Sequence, residues 1–363
     1  MKKKIAVFGV KGFPAFGGAS GANENIVNLL KDSFDYTIYS VSTHTDKKGM
    51  YNGYNQIVFK GVKGKRLNTL MYYIKSLFHA FFFGNYDIVQ INHLSSGFII
   101  PLLRIRYKVV ATARGIIPKD DNKWNFFDKQ FFELSAHLFF KFSSVAISVS
   151  KPHIDIFKKY TSKEIFYIPN GIHADEIFDK RQDEGYNSYL LFAANRIISL
   201  KGCHVFIDAL NKLNYKGKVI IIGDLSHTPE YAESLIESSK NLNIEYKGLI
   251  KDKDLLFGYI KNASLFIFPS FNEGMSNMLL EVASLKVPII CSDIPENSAV
   301  FNQDEVVFFN TGNATDLADK IDSSLKNIDH LKDKTQQAYN RLNDMYRWEI
   351  IAKEYEILYK TLC

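Results

Sequence analysis

The stretch richest in chemistry runs Phe268-Pro269-Ser270-Phe271-Asn272-Glu273-Gly274-Met275-Ser276-Asn277-Met278-Leu279-Leu280-Glu281. An apolar run ends at Pro269, a short polar loop follows, and a helix is expected from near Met275. Glu273 and Glu281 stand eight residues apart, roughly 2.2 helical turns. Glu273 falls on the loop and Glu281 about two turns into the helix. Gly274 lets a ligand approach the backbone closely. Free N–H groups at Met275 and Ser276 are expected to form an anion site at the helix start. One compact element thus offers a phosphate cradle flanked by two carboxylates. Carboxylates suit sugars, whose vicinal hydroxyls donate charge-assisted hydrogen bonds to them.

A second constellation, Asn195-Arg196-Ile197-Ile198-Ser199-Leu200-Lys201-Gly202, follows the apolar run Tyr189–Ala193. Both cations are expected at that strand's carboxyl end. A leaving diphosphate gathers negative charge as a glycosidic bond breaks. Arg196 can grip it bidentately and Lys201 can act as a point charge, which is electrostatic work that a metal ion does elsewhere. Taken singly, each group has an ordinary reading: a Glu near a helix start is favourable anyway, and Arg and Lys are usually solvated. Their order and spacing together argue for a site.

These residues need strands and helices to hold them. Short runs rich in Val, Ile and Phe alternate with helical patterns, which indicates βαβ units and parallel sheets. In the first half the expected strands are Ile5–Val10, Tyr36–Ser40, Ile57–Phe59, Ile88–Ile91, Lys108–Thr112, Val145–Val149 and Ile165–Ile168. A polar segment, Phe178–Ser188, has the composition of a hinge. The alternation restarts with Tyr189–Ala193, Val219–Ile222, Ile244–Tyr246, Leu265–Phe268, Val287–Cys291 and Val306–Phe309. Two doubly wound domains facing each other would place a cleft at the carboxyl ends of both sheets.

In this arrangement the chain resembles glycosyltransferase family 4. That family's pattern is a strand followed by Gly-Arg with Lys-Gly five residues on, then P-S-x-x-E-G with a second Glu eight residues after the first. Here it reads Asn195-Arg196 with Lys201-Gly202, then Pro269-Ser270-Phe271-Asn272-Glu273-Gly274 with Glu281. Ile168-Pro169-Asn170-Gly171, Ser148-Val149-Ser150-Lys151 and the stretch from Met345-Tyr346-Arg347-Trp348 to Leu358-Tyr359 are similar to further landmarks. The resemblance implies a GT-B fold: two Rossmann-like α/β domains with a C-terminal helix crossing back to the first. It divides the chain into an acceptor-binding domain, 1–172, a nucleotide-sugar-binding domain, 173–345, and a crossover helix, 346–363. It implies a retaining, metal-independent hexosyltransferase that needs no cofactor beyond its nucleotide-sugar co-substrate. Arg196 and Lys201 would neutralise the diphosphate, Glu273 would bind the donor sugar's hydroxyls, and Glu281 the ribose diol. Leu249 and Ile250, after Gly248, correspond to the loop that meets the base. Phe16-Gly17-Gly18 resembles the glycine loop facing the donor phosphates, which makes Gly17 and Gly18 donor-site residues. Many members carry a His where this chain has Ala113-Arg114-Gly115, but a branch of the family has Arg-Gly there, and that resemblance implies that Arg114 touches donor or acceptor. The glycine before Arg196 is replaced by Asn195, and Ala19-Ser20-Gly21-Ala22-Asn23-Glu24 is an unusual continuation of the glycine loop.

Some candidates keep two readings. Gly17-Gly18 could be a simple turn, Arg114 could pair with a structural carboxylate, and His93 could cap or pack rather than touch acceptor or donor. Asp252-Lys253-Asp254 matches a metal-binding D-x-D but precedes a helical pattern, where Asp is an ordinary N-cap. No metal site is expected.

The 363 residues suit two domains, and 46% hydrophobic with 23% charged residues is globular composition. The net charge of 45 − 39 = +6 is a mild excess. Three scattered cysteines, Cys203, Cys291 and Cys363, give neither a disulfide framework nor a zinc site, which fits a reducing compartment. The apolar run after Met1-Lys2-Lys3-Lys4 is too short for a secretory leader and reads as the first strand. A cytoplasmic protein is expected, peripheral at the inner face of the cell membrane if the aromatic, basic stretches Lys63–Phe83 and Lys123–Phe132 rest on lipid; core-facing helices would look similar. The partners implied are a UDP- or GDP-sugar and a glycan or lipid-linked acceptor of bacterial surface polysaccharide such as lipopolysaccharide, with no nucleic acid. A nicotinamide enzyme would need G-x-G-x-x-G, which Gly9-Val10-Lys11-Gly12 lacks. A nucleotide-sugar epimerase and a non-catalytic nucleotide-sugar-binding protein remain as alternatives.

Overall fold

The computed structural model describes residues 2–15, 18–116, 125–173 and 189–362. The chain forms two compact units, Met1–Asn170 with Trp348–Cys363, and Gly171–Arg347. Gly17 and the polar segment Phe178–Ser188 fall outside the described residues.

The first unit is built on an eight-stranded sheet in the order β3-β4-β2-β1-β5-β6-β7-β8. The strands are β1 (Lys3–Phe8), β2 (Phe34–Val41), β3 (Gly49–Tyr51), β4 (Tyr54–Phe59), β5 (Ile88–Ile91), β6 (Lys108–Ala113), β7 (Val145–Ser148) and β8 (Ile165–Tyr167). All pairings are parallel except that of β3 with β4. The near-continuous apolar runs follow from burial on both faces. In β1, Ile5 and Val7 enter one core while Ala6 and Phe8 enter the other. The first core holds helix Gly18–Leu30 through Ile26 and Val27, and helix Trp348–Leu362 through Trp348, Ile351, Ala352, Tyr355, Leu358 and Tyr359. That spacing keeps one helical face on the sheet. The second core holds helix Lys65–Phe83 through Tyr72, Tyr73 and Ala80, and helix Phe126–Phe142 through Ala136, Phe139 and Phe140.

Several strand bounds shift by one to three residues from the sequence reading, and two differences have a local cause. Strand β1 stops at Phe8 rather than Val10 because Gly9 takes φ +85°, outside extended geometry. Strand β3 was not expected. It is a three-residue antiparallel edge joined to β4 by Asn52-Gly53, both at positive φ. Asn-Gly is the dipeptide that a two-residue hairpin turn favours, so a signal was there to be read.

The second unit carries a six-stranded, wholly parallel sheet in the order β11-β10-β9-β12-β13-β14. Its strands are β9 (Tyr189–Arg196), β10 (Lys218–Asp224), β11 (Ile244–Gly248), β12 (Leu265–Phe268), β13 (Ile289–Ser292) and β14 (Val307–Phe309). Leu190, Phe192, Val219, Ile221, Leu265 and Ile267 meet helices Cys203–Lys212 and Ala314–Lys326 in one core. Cys203 and Cys291 are buried free thiols.

Candidate active site

In the second unit β9 lies between β10 and β12, and the chain winds away from it in both directions. Such a reversal of strand order opens a crevice at the carboxyl ends, the place where doubly wound sheets take ligands. Arg196 is the last residue of β9, Lys201 ends the turn Ser199–Lys201, and Glu273 follows β12. The strand order therefore brings side chains 72 positions apart in sequence to one place. Lys201 Nζ lies 2.5 Å from Glu273 Oε1. The Glu273 side chain is 9% exposed and that of Lys201 27%. Such a pair holds its carboxylate in place while leaving the cation open to a further anion.

The two loops are clasped by backbone. The Phe271 N–H donates to the Leu200 carbonyl at 2.9 Å. Gly202 takes φ +71°, and a Cβ there would lie 1.9 Å from the Pro269 carbonyl oxygen. Only glycine meets both demands. Arg196 is exposed and makes no ion pair or hydrogen bond among the described residues, so its guanidinium is free for a ligand.

The element after β12 differs in register from the sequence reading. The helix runs Asn277–Ser284, with Ser276 as its N-cap and the Ser276 hydroxyl accepting from the Leu279 N–H at 3.3 Å. Met275 and Ser276 thus precede the helix rather than open it. The first-turn N–H groups without an intrahelical acceptor are those of Asn277 and Met278. The capping hydroxyl set this boundary. Glu281 consequently sits about one turn into the helix rather than two. Gly274 has no left-handed φ, and its neighbours Glu273 and Met275 are buried.

Glu281 Oε1 lies 3.2 Å from Lys253 Nζ. Asp252, just before it, caps helix Lys253–Lys261 by accepting from the Asp254 and Leu255 N–H groups, as the D-x-D stretch was read. Lys253 itself was missed: its pairing depends on which loops meet, and the sequence gives no sign of that. Leu249, exposed, and Ile250, partly buried, follow β11, two strands from β9. Burial pushes the Glu281 carboxyl above the ordinary carboxylate range, and Lys253 partly offsets it. A carboxyl raised in this way lends stability at low pH that is lost as pH rises through its folded value. Glu281→Gln is expected to flatten that loss when unfolding midpoints are compared between about pH 5 and about pH 8. A variant whose midpoint falls as steeply as wild type would contradict this origin.

In the first unit the order reverses between β1 and β5. Gly18, at φ +60° with open space around a Cβ, begins helix Gly18–Leu30. Glu24 lies in that helix and accepts the Ala15 N–H at 2.8 Å, which fixes its placement. His93 stands at the N-cap position of the turn Leu94–Ile99 without a side-chain capping bond, and its Nδ1 lies 2.9 Å from Ser95 Oγ. Its ring reaches solvent, yet the close packing around it, and secondarily Lys11, lower its pKa. Arg114 ends β6. Its Nη1 donates to Asn170 Oδ1 at 2.9 Å and its Nε to Asn92 Oδ1 at 3.4 Å. Among the described residues it has no carboxylate partner, so the structural ion pair considered from sequence is not formed. Burial is the main influence lowering the Arg114 pKa, and Tyr355 and Tyr359 oppose it. Asn92 and Asn170 were missed as its supports, although Asn170 lies in the Pro169-Asn170-Gly171 landmark.

Two parallel α/β units with polar groups gathered at strand-order reversals define the GT-B class of fold. Residues 187–327 match the family Glycosyl transferases group 1. The chain is 24% identical over 204 residues to the capsular polysaccharide biosynthesis glycosyltransferase CapM of Staphylococcus aureus, covering 53% of each chain. It is 26% identical over 200 residues to the N,N'-diacetylbacillosaminyl-diphospho-undecaprenol alpha-1,3-N-acetylgalactosaminyltransferase of Campylobacter jejuni, covering 54% of this chain and 51% of that one. The chain thus spans about half the length of both relatives. With the O-antigen chain mannosyltransferase RfbU of Salmonella typhimurium it is 25% identical over 298 residues, covering 79% of this chain and 78% of that one. Among solved structures it is similar to a sucrose-phosphate synthase from Thermosynechococcus elongatus, with a TM-score of 0.84 at 16% identity over 99% of both chains. It is also similar to Anabaena HepE in complex with UDP-glucose, with a TM-score of 0.80 at 16% identity over 99% of both chains. Both likenesses bear on the fold.

Proposed function

We propose that the protein is a retaining, metal-independent glycosyltransferase. It moves a sugar from a UDP- or GDP-sugar to a glycan or lipid-linked acceptor in bacterial surface polysaccharide assembly. The observation that carries this reading is the Lys201–Glu273 pair at the β9/β12 reversal, beside the uncommitted Arg196. Arg196 and Lys201 neutralise the leaving diphosphate, Glu273 holds sugar hydroxyls, and Glu281 takes the ribose diol. Leu249 and Ile250 flank the base, and Gly274 with the backbone of the following cap approaches the phosphates. The second unit is the donor domain. The first unit, with Gly18, His93 and Arg114, is the acceptor domain, and the helix Trp348–Leu362 belongs to it. The leaving phosphate accepts the acceptor's proton on the face it departs from, which keeps the anomeric configuration without an enzymic nucleophile.

The names of CapM and RfbU support a place in polysaccharide assembly, that of the Campylobacter relative supports a lipid-diphosphate acceptor, and UDP-glucose in HepE supports a UDP-sugar donor. Among the described residues no helix is long and apolar enough to cross a membrane. The reading places the protein in the cytoplasm, peripheral to the inner membrane face. Two fixed cations do the electrostatic work of a metal, so turnover is expected to persist in EDTA. The anomeric proton of the product should show the donor's configuration by NMR. Loss of activity restored by magnesium or manganese, or an inverted product, would refute the mechanism.

A further inference from the structure

Helix Lys65–Phe83 is apolar on two opposite sides. Its inner side puts Tyr72, Tyr73 and Ala80 into the sheet core. At about 100° per residue, Leu67, Leu70, Ile74, Phe78 and Phe82 form a separate stripe on the side facing away from the sheet, and all five are exposed. Phe78 is 57% exposed, and its ring centroid lies 4.6 Å from that of Phe82. Helix Phe126–Phe142 repeats the arrangement. Ala136, Phe139 and Phe140 face the same core, while Phe127, Phe131 and Leu134 face outward, with Phe127 80% exposed. Both helices lie on one face of one sheet, so their outer stripes look the same way. Arg66 and Asp128, 3.0 Å apart, tie their amino-terminal ends together.

A water-facing helix side is ordinarily polar, and a contiguous exposed apolar surface marks an interaction site. Charge identifies the occupant. From Lys60 to Lys108 the chain carries eight Lys or Arg and one acidic residue, Asp87, which already engages Lys3, while helix Phe126–Phe142 adds Lys129 and Lys141 against Asp128 and Glu133. A second copy docked face to face would bring these cations together. An anionic bilayer complements them, while the phenylalanines enter the boundary between headgroups and acyl chains.

We propose that the outer faces of helices Lys65–Phe83 and Phe126–Phe142 form one docking surface for an anionic lipid bilayer, lying in its interface rather than crossing it. This deepens the peripheral location proposed above and depends on neither the donor nor the reaction. The face belongs to the first unit, whose sheet also carries Arg114 and His93. Docking therefore holds that unit at the surface where a lipid-linked acceptor resides.

Co-sedimentation of the full chain with vesicles tests this. Vesicles of phosphatidylcholine with roughly a third phosphatidylglycerol are expected to bind wild type, pure phosphatidylcholine vesicles much less, and added salt to weaken the binding. Phe78→Asn/Phe82→Asn and, separately, Phe127→Asn are each expected to lower vesicle affinity about tenfold or more. Ile236→Asn, an exposed apolar residue of the other unit, should leave it unchanged. Unfolding midpoints, and their shift by UDP or GDP, are expected to stay at wild-type values in all variants, so failure of docking and failure of the transferase reading show separately. No vesicle binding by wild type, or equal binding by the phenylalanine variants, overturns the proposal. A concentration-dependent dimer abolished by the same variants would assign the face to a second copy and overturn it as well.

Discussion

Lys201→Ala is expected to lower turnover by a factor on the order of 10² to 10³, the effect of removing one group that stabilises charge developing in a transition state. The Lys201–Glu273 pair makes the test more discriminating than a single activity figure. Glu273 is nearly buried, so removing its partner leaves a carboxylate with little water to solvate it. A buried polar group stripped of its partner costs about 1–3 kcal/mol, and ligand-free Lys201→Ala should unfold earlier by that amount. The double variant Lys201→Ala/Glu273→Ala removes the stranded charge. Its stability is expected to return toward wild type, while its turnover stays at the level of the single variants. If the double variant recovers activity along with stability, the pair is a structural ion pair and the site lies elsewhere. Near-normal turnover in Lys201→Ala would lead to the same conclusion.

The second large effect is at Gly202. Its left-handed backbone costs a residue with a Cβ about 1–2 kcal/mol. The new methyl would also overlap the Pro269 carbonyl oxygen, and forcing atoms into packed space costs about 1–3 kcal/mol. Gly202→Ala is therefore expected to lower stability by about 2–5 kcal/mol. Because the clasp between the two loops carries Lys201 to Glu273, turnover should fall too. Gly18→Ala is the matched control: it too has positive φ but open space around a Cβ, so only the torsional cost applies. Denaturant unfolding of the two variants side by side separates the contributions. Equal losses at the two positions would mean that the Pro269 contact relaxes away.

Much of this architecture was legible because its strands are buried on both faces and read as short apolar runs between helical patterns. Strand β12 kept its expected bounds of Leu265–Phe268. What escaped depends on contacts distant in sequence. The requirement for glycine at 202 comes from a carbonyl at position 269, and nothing beside Gly202 announces it. Lys253 looked like the middle of a helix-capping stretch until the fold placed it on Glu281. The helix after β12 began two residues late because Met275 continues the buried loop and the Ser276 hydroxyl makes the cap, although Ser three residues before Leu279 was a readable cap. Arg114 was recognisable as a cation at a strand end, but its neutral partners, Asn92 and Asn170, come from two separate loops. The edge strand β3 had only its Asn52-Gly53 turn to betray it.

The central claim is that the second unit holds a nucleoside diphosphate with Glu281 on its ribose, and thermal unfolding with saturating UDP, GDP or NAD tests it most directly. A ligand at roughly 100 times its dissociation constant adds about 2.7 kcal/mol, which moves a midpoint by several degrees. The account predicts that UDP or GDP raises the wild-type midpoint by that much, raises that of Glu281→Ala clearly less, and that NAD leaves both unchanged. A shift with NAD and none with either nucleoside diphosphate, or an equal nucleotide shift in Glu281→Ala, would contradict it.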